Sequence, residues 1–280
     1  MSRQFSKNNT GFHNKKSLGQ NFITDDDLLD KLVDLASVTE DDTVLEIGTG
    51  AGALTEHLAG RCKRVVTIEI DDTLIPILRV SLGKYSNVEL IHTDILKTDI
   101  DSVMNGCSSF HVVANIPYYI TTDIINHLLK KDCGIQTISL MVQAEAAERI
   151  YAKPGESQYG MLSVRCAYKG YAEKLLDVPA SAFTPPPKVD SAFVKITLDK
   201  VKKYPEVDEK IFMKTAEAAF LMRRKTFVNN LCGAFGISKD EAGCILEKCG
   251  LDRNIRGEML DTDRFAQVAT LLSERKRKAD

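Results

Sequence analysis

The stretch LEIGTGAGALTEHLA, residues 45–59, is typical of a strand that turns into a helix through a glycine-rich loop. Gly48, Gly50 and Gly52 carry no side chains, so the backbone can turn sharply and a ligand can approach its peptide groups closely. The spacing Gly48-x-Gly50-x-x-Ala53 also satisfies the dinucleotide fingerprint. The turn therefore indicates a nucleotide-like cofactor without saying which one, and a purely structural glycine turn is the alternative.

Short runs of β-branched residues alternate with segments of helical period on either side of this turn. The runs are TVLEI (43–47), RVVTIEI (64–70), VELIH (88–92), FHVVA (110–114) and TISLMVQ (137–143). This alternation predicts a doubly wound, mostly parallel sheet with crossover helices. Two later runs, MLSVRCAY (161–168) and SAFVKITL (191–198), have no helix-length insert between them. They are predicted to form an antiparallel pair at the sheet edge.

Helices are predicted at both ends of this region. Before the first strand, Thr24 with Asp27 offers an N-terminal cap for a helix. The apolar residues that follow fall on one helical face, namely Leu28, Leu29, Leu32, Val33 and Ala36. Every segment after the charged stretch at 199–206 has helical period, so we place a domain boundary there. The later helices are predicted near 207–223, 226–235, 239–249 and 262–276, with a Ser238–Glu241 capping box and Gly250 as a C-terminal cap.

The predicted domains are a basic N-terminal arm at 1–20, a sheet domain at 21–200 and an all-α domain at 206–280. With 280 residues, 44% hydrophobic, the chain can bury a large core. It has no run of eighteen apolar residues and no secretory signal at its N-terminus, so a cytoplasmic protein without a membrane span is expected. The seven cysteines contain no CxxC pair, so reduced thiols are expected and no metal site.

The net charge of −2 is unevenly distributed. Residues 1–20 contain four Lys/Arg and no acid, residues 21–150 contain 10 against 21 Asp/Glu, and residues 151–280 contain 23 against 18. One interpretation is that the two basic ends bind a polyanion while the acidic middle binds a cation or neutral ligand. The other is that helix surfaces merely differ in charge.

Polar residues lie at the carboxyl ends of successive predicted strands. Glu69 ends the second strand about twenty residues after the glycine turn and is placed to bind ribose hydroxyls. Asp94 follows the third strand, where its carboxylate could accept the amino hydrogens of adenine or could simply cap a turn. In a doubly wound sheet, Gly48, Glu69, Asp94 and Asn115 are expected to converge on one crevice.

The fourth strand runs into NIPYYITT, residues 115–122. The amide oxygen of Asn115 and the carbonyl of Ile116 could accept both hydrogens of a base amine and direct its lone pair at an electrophile. Pro117 would fix this backbone, and Tyr118 would stack on a base removed from its helix. The alternative is a simple strand-to-loop turn. Hydride transfer has no evident use for these residues.

These motifs together resemble the KsgA/RsmA family of bacterial small-subunit ribosomal RNA adenine dimethyltransferases over almost the whole chain. The matching segments are KKSLGQNFI (15–23), EIGTGAGALT (46–55), IEID (68–71), TDIL (93–96), NIPYYITT (115–122), LMVQAEAAERI (140–150), VPASAFTPPPKVDSAFV (178–194) and FLMRRKTFVNNL (220–231). Two departures are Asn21, where many members have His, and Thr49, where Pro is frequent.

The resemblance implies a Rossmann-like class I methyltransferase fold and S-adenosylmethionine as cofactor. The implied substrate is a pair of adjacent adenosines in the 3′-terminal hairpin loop of 16S rRNA, within the immature 30S subunit. Carried over by position, the cofactor-binding residues are Asn21, Ile23, Gly48, Gly50, Gly52, Glu69, Asp94 and Asn115. The implied target-base pocket consists of Asn115, Ile116, Pro117 and Tyr118, with Phe183 on the other side of the base. No general base stands out, and a monomer is expected.

Basic residues flank the implied cleft. Arg223, Arg224 and Lys225 follow a predicted helix, and Lys15 and Lys16 precede the cofactor-binding motif. With the ERKRK tail at 274–278 they could contact phosphates without reading sequence. Solvated helix ends are the alternative.

Two other functions share the predicted fold. An Erm-type enzyme would dimethylate one adenosine of 23S rRNA, although Tyr119 and the long helical C-terminal region are closer to KsgA. A ribosome-assembly checkpoint factor would use the fold to inspect the small subunit, with catalysis secondary. A dehydrogenase would leave NIPY, Phe183 and the basic ends unexplained.

Overall fold

Seven strands form the central sheet in the residues that the structure, a computed structural model, describes, namely 20–130 and 133–279. A separate pair of two-residue strands lies beside it. In chain order the strands are β1 (Phe22–Ile23), β2 (Thr43–Ile47), β3 (Arg64–Glu69), β4 (Val88–His92), β5 (Phe110–Asn115), β6 (Ile135–Gln143), β7 (Gly170–Val178), β8 (Phe183–Thr184) and β9 (Ser191–Leu198).

The helices between the strands are α1 (Asp26–Ala36), α2 (Ala53–Ala59), α3 (Ile75–Leu82), α4 (Ile100–Met104), α5 (Thr121–Leu128), α6 (Ala144–Tyr151) and α7 (Met161–Lys169). After β9 come α8 (Glu209–Leu221), α9 (Phe227–Phe235), α10 (Lys239–Lys248) and α11 (Thr262–Ala279). None of these described helices is both long enough and apolar enough to cross a bilayer.

The sheet order is β4-β3-β2-β5-β6-β9-β7, and β9 pairs antiparallel with both of its neighbours. The other pairings are parallel. From β2 the chain adds strands first on one side and then on the other, so the order reverses between β2 and β5. Ligands of doubly wound sheets bind at the carboxyl ends of the strands beside such a switch point.

The central strands are apolar on both faces because helices cover both sides of the sheet. Leu45 packs with the buried residues of β5 and α5 on one face, whereas Val44 packs with Leu29 and Leu32 of α1 on the other. This arrangement explains why the five parallel strands were predictable as nearly continuous apolar runs. Their observed bounds differ from the predicted ones by at most two residues.

The cap of α1 differs from the predicted one. Asp25, rather than Thr24, is the N-cap, and its carboxylate accepts hydrogen bonds from Asp27 N at 3.0 Å and Leu28 N at 3.3 Å. Its extended backbone places the carboxylate over these two free amides. Asp27 lies within the first turn.

The predicted strand at 161–168 is wrong, because these residues form α7. The strand that pairs with β9 at the sheet edge is instead β7, which follows α7 immediately. Val164 and Tyr168 of α7 pack in the same buried cluster as Phe212 of α8, so tertiary contacts override the local strand propensity. As an edge strand, β7 carries charged residues that hid its strand pattern in the sequence.

The C-terminal helices lie close to their predicted positions. The capping box is present, with Glu241 N donating to Ser238 Oγ at 3.2 Å and Ser238 N to Glu241 Oε2 at 2.9 Å. Gly250 follows α10 with a φ of +69°, as expected of a C-terminal glycine. The rings of Phe212, Phe227 and Phe265 form the centre of this region through edge-to-face contacts.

The core of the helical region includes residues that precede the predicted boundary at 199–206. Tyr159 and Tyr168 are buried in the cluster that contains Phe212 and Phe227. The Tyr159 hydroxyl also donates to the carbonyl of Leu260 at 2.7 Å. The division into domains at 21–200 and 206–280 therefore stays a prediction, and residues 152–168 contribute to the helical core.

Candidate active site

One cleft lies at the carboxyl ends of β2, β3 and β5, and its empty space of about 1070 Å³ includes room open to solvent. The predicted site residues that line it are Asn21, Ile23, Gly48, Gly50, Glu69, Asp94, Asn115, Ile116, Pro117 and Tyr118. Further lining residues include Gln20, Phe22, Glu46, Thr49, Ile70 and Tyr119.

Two of the three glycines of the turn face this cleft. Gly48 and Gly50 have φ values of +79° and +56°, which L side chains rarely adopt. A Cβ on Gly50 would stand 3.1 Å from a ring carbon of Phe22, so the turn also needs the space. Gly52 does not line the cleft: a Cβ there would stand 3.3 Å from Leu78 Cδ2, so this glycine lets α2 pack closely on α3.

The carboxylate of Glu69 is fixed at the end of β3 by three backbone amides. Oε2 accepts from Gly50 N at 2.8 Å, and Oε1 accepts from Ile70 N at 2.9 Å and Asp71 N at 2.8 Å. Burial raises the pKa of Glu69, and these hydrogen bonds oppose the shift. Each carboxylate oxygen can accept more than one hydrogen bond, so Oε2 retains capacity for a ligand hydroxyl.

The structure shows one of the two roles that the sequence position of Asp94 left open. Its Oδ1 accepts from Leu96 N at 3.0 Å and caps the short 3-10 turn Ile95–Lys97. Its Oδ2 lies 3.4 Å from Lys97 Nζ, and the residue lines the cleft. The capping role is therefore present, and recognition of an adenine amino group stays a prediction.

The amide of Asn115 is oriented by the N-terminal segment. Its Nδ2 donates to the backbone carbonyl of Asn21 at 2.9 Å. Within the described part of the chain, Oδ1 accepts no hydrogen bond, so this oxygen remains as an acceptor at the end of β5. Pro117 follows two residues later with a φ of −61°, which fixes the backbone beyond the Ile116 carbonyl.

Tyr118 is half-buried, and its hydroxyl lies 2.5 Å from Ser191 Oγ. Burial raises the pKa of Tyr118, while the hydrogen bond to Ser191 opposes the shift. Ser191 is fully buried at the start of β9 and was not identified from the sequence. It falls within the VPASAFTPPPKVDSAFV motif, but only the fold brings it to Tyr118.

Residues 20–23 cross the cleft from β3 to β5. Gln20 Nε2 donates to Asp71 Oδ2 at 3.2 Å beyond the end of β3, and Phe22 covers Gly50. Ile23 then pairs with Phe183 between β1 and β8. Gln20 and Phe22 were missed in the sequence, although both belong to the KKSLGQNFI motif.

Phe183 does not lie in the cleft. It is 2% exposed and packs with Leu29 and Leu32 of α1. Its backbone is also held in β8, where Phe183 pairs with Ile23 of β1. Stacking of Phe183 on the target base stays a prediction. In this structure the Phe183 ring is buried and does not line the cleft.

A buried carboxyl group lies beneath the glycine turn. Glu46 is 1% exposed, and its Oε2 accepts from Thr55 Oγ1 at 2.5 Å and Thr67 Oγ1 at 2.6 Å. Thr67 Oγ1 is also 2.6 Å from the hydroxyl of Thr49 in the turn. Burial, with a smaller contribution from the charge of Glu69, raises the pKa of Glu46 to about 8. Glu46 is therefore mostly protonated at neutral pH, a feature that the strand pattern could not indicate.

The predicted RNA-binding residues differ in their surroundings. Arg223 is bound within the protein, with Nε 2.7 Å from Glu258 Oε2 and its guanidinium near the carbonyls of Ser157 and Tyr159. Arg224 and Lys225 are exposed in the turn after α8. Lys15 and Lys16 lie outside the described residues, as do the side chains of the tail beyond Arg275.

Within the described residues, no three His, Cys, Asp or Glu side chains are grouped so as to hold a metal ion. His57, His92, His111 and His127 do not line the cleft.

The sheet order, the antiparallel β9 and the cleft at the switch point define a class I methyltransferase fold. A dimethyladenosine transferase from Plasmodium falciparum superposes with a TM-score of 0.77 at 27% identity, over 92% of this chain and 98% of the other. The 23S rRNA methyltransferase ErmE shares the fold, with a TM-score of 0.71 at 24% identity over 90% of this chain and 100% of its own.

Sequence relatives give the family. The ribosomal RNA adenine dimethylase profile matches residues 11–272. Ribosomal RNA small subunit methyltransferase A of Shouchella clausii is 44% identical over 96% of this chain and 93% of its own, and that of Bacillus licheniformis is 43% identical over 95% and 94%. The chain belongs to the ribosomal RNA adenine dimethylase family. The predicted family, fold class and enzyme class are confirmed.

Proposed function

We propose that this protein transfers methyl groups from S-adenosylmethionine to the N6 amines of two adjacent adenosines in the 3′-terminal hairpin loop of 16S rRNA. The products are two N6,N6-dimethyladenosines, formed during biogenesis of the small subunit. The family membership and the names of the relatives support the substrate class. The observation that carries the proposal is the Asn115 amide, whose nitrogen is bound to Asn21 and whose oxygen is left as an acceptor.

The residues present fit S-adenosylmethionine. Gly48 and Gly50 leave backbone accessible where any side chain would be strained, and Glu69 beside them is a fixed acceptor for ribose hydroxyls. Asp94 supplies a further carboxylate for an adenine amine, and Asn21 and Ile23 line the same cleft. When bound, this cofactor supplies an electrophilic methyl group on a sulfonium.

The chain's own residues hold the base and its amine. The Asn115 Oδ1 and the Ile116 carbonyl accept the two amino hydrogens, which favours a pyramidal nitrogen whose lone pair is directed at the methyl donor. Tyr118, fixed by Ser191, supplies an aromatic face for the extruded base. No described histidine lines the cleft, and no side chain is assigned as a general base. The ammonium formed by the transfer loses its proton to solvent.

The proposed partner is 16S rRNA within the immature 30S subunit. The protein is proposed to bind it as a monomer in the cytoplasm. Arg224 and Lys225 are exposed cations that suit phosphate contacts. Lys15 and Lys16 belong to the proposed basic arm.

Transfer of tritiated methyl groups to immature small subunits, followed by mapping of the modified nucleotides, tests this function. We expect label at two adjacent adenosines of 16S rRNA. Label on 23S rRNA, together with macrolide resistance of cells that express the protein, would identify an Erm-type enzyme instead. Absence of label with intact binding to the subunit would favour the assembly-checkpoint role.

A further inference from the structure

Two consecutive tyrosines at the cleft have different surroundings. The Tyr118 hydroxyl is bound to the buried Ser191, whereas Tyr119 is 63% exposed although it also lines the cleft. Within the described residues, the Tyr119 hydroxyl forms no hydrogen bond. Tyr119 is thus a large aromatic ring at the cleft with no packing role that accounts for it.

The backbone that carries Tyr119 is firmly held. Tyr118–Ile120 form a 3-10 turn that leads directly into α5, and Ile120 N donates to the Pro117 carbonyl at 3.3 Å. Thr121, which is 2% exposed, donates its hydroxyl hydrogen to the Tyr118 carbonyl at 3.2 Å. An aromatic ring on such a rigid backbone loses little conformational freedom when a ligand stacks on it.

We propose that Tyr119 stacks on the base next to the adenine held in the cleft and thereby makes efficient transfer depend on a base at that neighbouring position. The inference rests on the proposed function. A nucleotide extruded from its stack leaves its neighbour with one face uncovered, and an exposed aromatic ring at the same cleft replaces that contact. Every base has a face that can stack on an aromatic ring, so the neighbouring adenine suits this position.

The geometry gives the two tyrosines separate tasks. The hydrogen bond to Ser191 holds Tyr118 at the target base, so the adjacent ring of Tyr119 is the one left for the adjacent base. Tyr119 is on this account a specificity residue that contacts RNA outside the reacting nucleotide. Its ring carries the effect, and its hydroxyl does not.

The test combines Tyr119 variants with altered RNA. Tyr119→Ala, Tyr119→Phe and wild type are compared on small subunits reconstituted with both adenosines, or with one of them replaced by an abasic nucleotide. Tyr171→Ala is the matched control, because Tyr171 is 64% exposed but lies on the edge strand β7 away from the cleft. Single-turnover rates and dissociation constants are both measured. The effect of Tyr119→Ala on each substrate is then obtained even where turnover is slow.

On the natural pair, Tyr119→Ala should lose about tenfold in efficiency, as expected for one stacked base, while Tyr119→Phe and Tyr171→Ala stay within twofold of wild type. On abasic subunits the Tyr119→Ala loss should disappear. An equal loss on both substrates, no loss on either, or weakened S-adenosylmethionine binding by calorimetry would overturn the inference. Absence of label from wild type on the natural pair would instead overturn the proposed function and the inference with it.

Discussion

The side-chain amide of Asn115 donates a hydrogen bond to the backbone carbonyl of Asn21 across 94 residues of sequence, at 2.9 Å. This contact joins the end of β5 to the segment that crosses the cleft. It also fixes which atom of the amide is the donor, so the oxygen is the acceptor available to a substrate amine. The same bond therefore ties residues 20–23 to the sheet and orients the group to which we assign the chemistry.

Asn115→Asp keeps the acceptor oxygens but removes the donor to Asn21. The unpaired Asn21 carbonyl costs about 1–3 kcal/mol, which disfavours the position of Asn21 at the cleft, so we expect affinity for S-adenosylmethionine to fall about tenfold. Calorimetric titration measures this, with Asn254→Asp in the exposed part of the helical region as the control. Wild-type affinity in Asn115→Asp would show that the contact with Asn21 does not support the cofactor site.

Tyr118→Phe and Ser191→Ala each remove the hydrogen bond that holds the Tyr118 ring. Each should lower the transfer efficiency about fivefold, since a neutral hydrogen bond contributes about 1 kcal/mol. In the double variant the losses should not add, because both substitutions remove one interaction. Additive losses would mean that Ser191 acts independently of Tyr118.

Glu46 should give a distinct pH dependence of stability. Its pKa rises from 4.5 to about 8 on burial, so the stability conferred by the protonated carboxyl is complete below pH 4.5 and is lost as the pH rises through 8. Across that window the unfolding free energy should fall by up to about 1.4 kcal/mol per pH unit relative to Glu46→Gln. Urea unfolding of wild type, Glu46→Gln and the exposed control Glu40→Gln measures this, and parallel pH profiles would contradict it.

Substitutions of Gly50 and Gly52 should have different effects, one on cofactor affinity and the other on stability. Gly50→Ala should lose cofactor affinity. An alanine is strained at the φ of +56°, and its Cβ would stand 3.1 Å from the Phe22 ring, so the cleft would be distorted. Gly52→Ala should instead destabilise the fold by at least about 1 kcal/mol, through its left-handed backbone and its contact with Leu78, and leave cofactor affinity in the folded protein nearly unchanged. Thermal melts and calorimetry distinguish the two. Loss of affinity in a stable Gly52→Ala protein would restore its predicted cofactor role.

Substitutions of the basic residues after α8 should also have different effects, on binding to the small subunit or on stability. Arg224→Ala and Lys225→Ala should weaken binding to the small subunit and each reduce the salt slope by about one. Arg223→Ala should mainly lower stability, because its guanidinium is bound to Glu258 and to backbone carbonyls. Equal salt slopes for wild type and the Arg224 and Lys225 variants would contradict direct phosphate contacts.

Much of the fold could be predicted because buried parallel strands have a strong local pattern. Val44, Leu45 and Ile47 are apolar on both faces of β2, and the Ser238–Glu241 capping box needs only residues three apart. Residues 161–168 have equally strand-like composition, yet the helical region holds them as α7. Such long-range packing has no local signature.

The site follows the same rule. Glu69, Asp94 and Asn115 were found because they end strands, and the topology brings such ends together. Ser191 and Glu46 were missed because their roles depend on partners far along the chain or on burial alone. Phe183 was placed in the target-base pocket by resemblance, whereas its ring packs under α1.

The most direct test of the central claim is single-turnover methyl transfer by Asn115→Ala on immature small subunits. We expect a loss of at least about 10²-fold, as for other preorganised hydrogen-bonding groups that act on a transition state. Affinity for the subunit, measured in parallel, should stay within about twofold, because phosphate contacts dominate binding. Near-normal transfer by Asn115→Ala would contradict the assignment of the amide oxygen as the acceptor that activates the adenine amine.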